Sequence, residues 1–140
     1  MLDPQRIEEI KARCRLAPCI AALRLELLEF DAGTCRIRAP HDPGFNGVLP
    51  GFHGGMLAMV ADCAAWFAIV TETGPDELIV TADLDMRYLK PCNGDCTTVA
   101  RAIKIGRTLC PVNIEMFDPA GDLVAVGCVT YIRLSALATK

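Results

Sequence analysis

The sequence predicts an α+β domain in which an antiparallel sheet of about six strands wraps around one long central helix. Three observations predict it. Residues 46–71, NGVLPGFHGGMLAMVADCAAWFAIVT, become apolar after Gly55, and Asp62 is the one charge in the run. Met, Leu and Ala dominate there, with no Pro or Gly after Gly55, which is helical composition. The segments on either side alternate polar and apolar residues with period two, the pattern of half-buried strands. A chain of 140 residues, 52% hydrophobic and 22% charged, is long enough for a single domain, 1–140, with its own core.

Asp3-Pro4 starts a short helix: Asp suits the N-cap and Pro the first helical position. Ile7, Ile10 and Cys14 then share a face, so 3–15 reads as amphipathic and Pro18 as its stop. Leu23, Leu25 and Leu27 alternate with Arg24 and Glu26, a strand; the turn Asp31-Ala32-Gly33 leads to a second, with Cys35, Ile37 and Ala39 facing inward. The loop 39–51 carries three prolines and three glycines and delivers the chain to the central helix, about 53–73. Apolar residues on every side of that helix predict burial all round. Gly74-Pro75-Asp76 stops it. Val80, Ala82, Leu84, Met86 and Tyr88 alternate with Thr81, Asp83, Asp85 and Arg87, the cleanest strand pattern of the chain. After a turn at 91–95, strands follow over 97–105, over 110–116 and over 123–134. Pro111 marks a strand start, edge or bulge. Asp118-Pro119-Ala120-Gly121-Asp122 is a turn by composition, and the tail is small and polar. Six strands leave two edges and a second face, which predicts association.

Composition narrows the function. A net charge of −3 argues against nucleic acid or an anionic membrane as partner. The charged, helical start does not read as a secretory signal, and the apolar run is slightly short for a span, so a cytoplasmic protein is expected. The eight cysteines are scattered through apolar and strand-like segments, which reads as reduced, mostly buried thiols. There is no C-x-x-C, and His41 and His53 are the only histidines, so no metal site is expected; His41 reads as a solvated loop residue.

Asp62 is the informative residue. A carboxylate in an apolar helix is costly unless something pairs with it or uses it. The helix start offers free backbone N–H groups to a developing oxyanion. Asp62 follows His53 by nine residues, ~13 Å along the axis and turned to the opposite face. One carbonyl therefore cannot easily touch the Gly54 N–H and the Asp62 carboxylate of the same chain, and if both act together they are expected to come from two subunits.

Asn46, the triplet His53-Gly54-Gly55, Asp62 at its offset and the strand end Tyr88-Leu89-Lys90-Pro91 together resemble the hotdog-fold acyl-CoA thioesterases, specifically the PaaI-like branch. The element order carries the resemblance over nearly the whole chain. It implies a homodimer or homotetramer with sites at the subunit interface, and an acyl-CoA substrate hydrolysed without cofactor or metal. It further implies that Gly54 donates its N–H to the thioester oxygen and that Asp62 of the neighbouring subunit is nucleophile or general base. Asn46 would help hold water, acid or carbonyl, and Thr81 would stand beside the acid. His53 would act in the site or orient its loop, and Gly55 would let the substrate approach the backbone. Arg87, Lys90, Lys104 and Arg107 are candidates for the coenzyme A phosphates. Trp66 and Phe67 suit the core or an interface, and one of them an acyl pocket. The chain departs from the pattern in that Asn46 stands seven residues before His53, not six, and Pro50 occupies a customary glycine position, consistent with a one-residue loop insertion. Two alternatives stand beside this reading. A hotdog enoyl-thioester hydratase or dehydratase would use a loop histidine and an acid early in the helix, where this chain has Met56 and Leu57. A non-catalytic acyl-CoA binding domain would bind without releasing thiol.

Overall fold

The computed structural model describes residues 1–137; the last three positions of the expected 1–140 domain lie outside the described residues. Helix α1 (Pro4–Cys14) starts where Asp3 accepts the Gln5 N–H. Pro18 does not simply stop it. It opens a second short helix, α2 (Pro18–Ala22), because a proline at N1 is already shaped for a helical turn. The strand expected from Leu23 therefore begins later. Arg24 takes a positive φ of 51° at the turn, and β1 runs Glu26–Asp31. Strands β2 (Thr34–Ala39), β3 (Ile79–Tyr88), β4 (Cys96–Ala102), β5 (Leu109–Phe117) and β6 (Leu123–Arg133) complete one antiparallel sheet of six, in the order β1-β2-β4-β5-β6-β3. Strand β4 ends at Ala102, short of the expected 105. Pro111 lies near the start of β5, with its carbonyl accepting from Ile103 just past the end of β4. Its missing N–H thus falls where the neighbouring strand has run out.

The central helix α3 (Gly54–Thr73) lies in the curve of the sheet. It is long and apolar enough to cross a membrane by length and composition, but here it is the core helix. Ala61, Ala64, Ala65 and Ala68 are fully buried, so the helix closes on Ile37, Ala100, Val112, Ile114 and Val129 without bulky residues holding it off. Phe67, Ile69 and Val70 fill the space beside them; burying each such large side chain contributes roughly 1.5–3 kcal/mol. The β1–β2 turn is tied to α3 at Gly33, whose φ of 68° suits glycine and whose N–H donates to the buried Thr71 hydroxyl at 2.8 Å.

The expectation of burial all round is corrected on one side. Met56, Ala58, Asp62, Cys63 and Trp66 are only half-buried and Met59 is 41% exposed. These positions fall about three and four apart, so they form one open stripe along α3. The inward set expected for β3 is corrected as well. A bulge between Thr81 and Asp83 shifts the register against β6. Beyond it Leu84 and Met86 pack on the core, but before it Ile79 does, and Val80 is 45% exposed. The extra residue turns Thr81 toward the helix, the re-aiming that bulges perform beside sites.

Candidate active site

The site is built from both ends of the first half of α3. At its start, His53 is the N-cap and its Nδ1 accepts the Gly55 N–H at 2.9 Å. That bond requires an unprotonated Nδ1, so the ring is committed to capping. The Gly54 N–H finds no acceptor among the described residues. Tyr88, at the end of β3, donates its hydroxyl to the Gly54 carbonyl at 2.5 Å, and its ring lies 3.2 Å from where a Cβ on residue 54 would sit. The Gly54–Gly55 peptide is thus held at both ends, by Tyr88 on its oxygen and His53 on its N–H. Burial raises the Tyr88 phenol above its ordinary range, which keeps it a donor.

Two turns along, the Thr81 hydroxyl donates to Asp62 Oδ1 at 2.8 Å, and Tyr131 on β6 donates to the Asp62 carbonyl at 3.0 Å. Burial drives the Tyr131 pKa far up, so this hydroxyl also stays protonated. Asp62 Oδ2 has no partner among the described residues. The carboxylate opens onto a cavity of about 530 Å³ whose apolar wall includes Leu16, Ala17, Ile20, Trp66, Ile79 and Val80. A carboxylate with one oxygen anchored and the other free beside an apolar cavity can accept a proton from water or attack an acyl carbon.

The predicted residues therefore fall into separate groups. Asp62 and Thr81 meet. Gly54, Gly55 and His53 meet at the helix start, eight residues away from Asp62, or ~12 Å along the axis. Asn46 belongs to the loop before the helix. Its Oδ1 accepts from His41 Nε2 at 2.7 Å and from the Gly51 N–H at 3.3 Å, so its oxygen is spent on loop geometry. His41 is not the solvated residue expected. It is half-buried, edge-on to Phe52 with ring centroids 5.3 Å apart, and its backbone N–H donates to Asp95. Among the cations, Lys90 is held by Asp122 at 2.9 Å and Asp118 at 3.1 Å, and both bonds raise its pKa. Arg87 pairs with Asp85. Lys104 and Arg107 are exposed in the β4–β5 hairpin, with no ion-pair partner among the described residues. That hairpin lies at the Ile79 end of β3, since Gly106 and Thr108 bond Arg133, which pairs Ile79. Lys90 is thus nearly the length of β3 away, ~30 Å for ten residues.

Sequence reasoning misses Tyr88 and Tyr131 as site residues and the α1–α2 corner as a cavity wall. Tyr88 has a signal, since it opens the Tyr-Leu-Lys-Pro strand end. Leu16, Ala17 and Ile20 have none, because the leucine alternation that follows makes the corner resemble the approach to a strand.

The thioesterase superfamily model matches residues 51–125, which run from the loop before α3 into β6. A curated Halobacterium salinarum protein named "Putative esterase VNG_1336C" is 29% identical over 93 residues; the match takes in 63% of this chain, which spans 62% of that relative's length. Among solved structures, the E. coli PaaI protein from the phenylacetic acid degradation operon superposes with a TM-score of 0.85 at 19% identity, covering 95% of this chain and 96% of the other. A mutant of phenylacetic acid degradation protein PaaI from Thermus thermophilus gives 0.74 at 25% identity, covering 84% and 99%. Thioesterase HI1161 from Haemophilus influenzae gives 0.79 at 21%, covering 89% and 87%. The architecture is the hotdog fold of PaaI-like proteins, and the family match spans more than half of the sequence: the chain belongs to the thioesterase superfamily.

Proposed function

We propose that the protein is an acyl-CoA thioesterase, converting an acyl thioester and water to a carboxylic acid and coenzyme A. The observation that carries this is the division of the site. A free Gly54 N–H stands at one end of a helix segment, and a carboxylate anchored by Thr81 beside an apolar cavity stands ~12 Å further along. In this reading the Gly54 N–H, at the positive end of α3, stabilises the oxyanion of the tetrahedral intermediate. Asp62 of the other subunit attacks the carbonyl carbon or deprotonates the attacking water. The cavity takes the acyl group. Tyr88, His53 and Gly55 hold the oxyanion donor in place, and Asn46 shapes the loop behind it. Lys104 and Arg107 are the cations left open for the coenzyme A phosphates, whereas Arg87 and Lys90 already face carboxylates.

Two subunits complete the site through the free edge of the sheet. Strand β3 is an edge strand. Leu89, just beyond it, gives its N–H to Val124 of β6, so alternate residues such as Met86 and Tyr88 present their backbone groups outward. Antiparallel pairing of this edge with a second copy, centred on Asp85, sets residue 88 of one copy opposite residue 82 of the other, next to Thr81. That lays Tyr88 and Gly54 of one subunit beside Thr81 and Asp62 of its neighbour. The exposed stripe of α3 and the exposed Val80, Tyr88 and Leu89 are covered in the same contact. A homodimer is the minimal unit, and a homotetramer would pair two of them. The first two turns of α3 carry no carboxylate, so nothing favours the hydratase reading. Free thiols in all eight cysteines fit a reducing compartment such as the cytoplasm.

The test is thiol release across short, long and aryl acyl-CoAs by wild type and by Asp62→Asn, which is nearly isosteric and keeps an oxygen for Thr81. Loss of the basic carboxylate should lower kcat by about 10²–10⁴-fold. Wild-type turnover in Asp62→Asn on a good substrate removes the proposed role, and tight acyl-CoA binding with no thiol released by wild type assigns a binding domain instead.

A further inference from the structure

Two cysteines stand apart from the other six. Cys19, on α2, is exposed; Cys63, on α3, is half-buried and follows Asp62 directly. Both open onto the cavity that receives the Asp62 carboxylate, and the Cys19 thiol stands near enough to Cys63 to help raise its pKa. Five of the remaining cysteines are buried, and Cys128 lies on β6, outside this cavity. Cys14 is the nearest competitor, but it is 7% exposed and burial raises its pKa to about 11. Burial, the neighbouring Cys19 thiol and the Asp62 charge push the Cys63 pKa far up, so Cys63 is a poor initial nucleophile and Cys19 is the accessible one.

We propose that Cys19 and Cys63 form a reversible dithiol–disulfide site that is oxidised by low-molecular-weight disulfides, and that the crosslink closes the cavity beside Asp62. The route that would bring a thioester sulfur to the carboxylate also admits a small disulfide. The Cys19 thiolate attacks one sulfur of RSSR and forms a mixed disulfide, and the first RS⁻ leaves and takes up the proton that Cys19 gave to solvent. Cys63 then loses its proton and attacks the Cys19 sulfur, and the second RSH leaves. The pair gives up two electrons and two protons, and RSSR departs as two thiols. The disulfide holds the two sulfurs ~2.0 Å apart. The α2 wall, with Ala17 and Ile20, is thereby drawn toward Trp66 and Asp62 on α3. The crosslink stands on the residues alone; only its effect on turnover rests on the proposed thioesterase activity.

The experiment incubates the full chain with glutathione disulfide, blocks the remaining thiols by alkylation, and reads intact mass and a peptide map. The expected result is loss of two of the eight thiols, a mass lower by about 2 Da, a Cys19–Cys63 peptide, and reversal by dithiothreitol. Turnover of the crosslinked protein should fall about tenfold or more, the size expected when site geometry moves by an ångström or so. Cys19→Ser should show the same turnover before and after oxidant, whatever its basal rate, and Cys63→Ser should retain glutathione on Cys19 and form no crosslink. In the wild-type chain, absence of a crosslink, stable glutathione on Cys19, or a Cys14–Cys19 peptide overturns the site. A crosslinked enzyme with unchanged turnover overturns the closure. The mass readout needs no activity, so failure of the thioesterase reading is seen separately as absence of thiol release from the reduced protein.

Discussion

Replacing Gly54 by alanine separates the proposed chemistry from the fold. Gly54 does not have a positive φ, so alanine meets no backbone penalty there. It is the first residue of α3, where exchanging glycine for alanine gains at most about 1 kcal/mol. Against this, the new Cβ would stand 3.2 Å from Tyr88 Cζ and 3.5 Å from both Cε2 and the hydroxyl oxygen. The ring must give by a few tenths of an ångström, which weakens its bond to the Gly54 carbonyl, an interaction worth about 1 kcal/mol. The two effects offset, and the melting temperature should stay within about 4 °C of wild type. Turnover should not be spared. Alanine keeps the N–H, but its methyl group crowds the approach of the thioester oxygen, and blocking that approach is equivalent to losing one oxyanion donor, about 10²–10³-fold in kcat. Thermal unfolding and steady-state thiol release on the same preparation give both numbers. An alanine variant that melts like wild type and also turns over like wild type refutes the oxyanion role of Gly54.

Two further outcomes follow from the Asp62 end of the site. Thr81→Val keeps the side-chain shape but removes the donor to Asp62 Oδ1; kcat should fall about tenfold, the scale of one hydrogen bond of about 1.4 kcal/mol, with stability nearly unchanged on a half-open edge. An unaltered kcat in steady-state assays would mean Thr81 does not position the acid. Tyr131 supplies a pH dependence. Its folded pKa is raised by burial above the ordinary 10.0, so its contribution is fully present below pH 10 and is lost as pH rises toward the folded value. Chemical denaturation from pH 8 to 11 should show stability falling at the alkaline end, and Tyr131→Phe should flatten that fall; equal slopes in the two proteins would contradict it.

Much of the architecture is legible because burial imposes period. Cys35, Ile37 and Ala39, and then Cys110, Val112, Ile114 and Met116, are buried in strict alternation, as the sequence pattern predicts. The end of α3 at Gly74 and the turn at Asp118 carry their own chemistry: a φ of 91° in one case, and in the other a carboxylate accepting the N–H groups of Ala120 and Asp122. The bulge in β3 is invisible for a physical reason. Val80 and Ala82 are apolar and continue the phase of Leu84, so nothing in the residue pattern marks the extra residue that turns Thr81 inward. The open stripe on α3 is invisible because Met56, Met59, Cys63 and Trp66 are as apolar as the residues of the core. The α1–α2 corner fails because Leu23, Leu25 and Leu27 offer strand periodicity, while Pro18 at N1 and a left-handed Arg24 decide the backbone. Of the candidate site, the polarity of the helix start and the isolation of Asp62 are readable; the clamp by Tyr88 and the support from Tyr131 depend on contacts between distant strands.

The claim at the centre is that each active unit takes its carboxylate from one subunit and its oxyanion donor from another. Mixing Asp62→Asn with Gly54→Ala, unfolding and refolding them together in equal amounts, and assaying thiol release tests it most directly. A mixed dimer then holds one site with both changes and one site with neither. Random association makes half of the dimers mixed, so turnover should return to about a quarter of wild type from two nearly inactive parents. If the mixture is no more active than its components, although mass spectrometry shows mixed dimers, both groups act within one chain and the account is wrong.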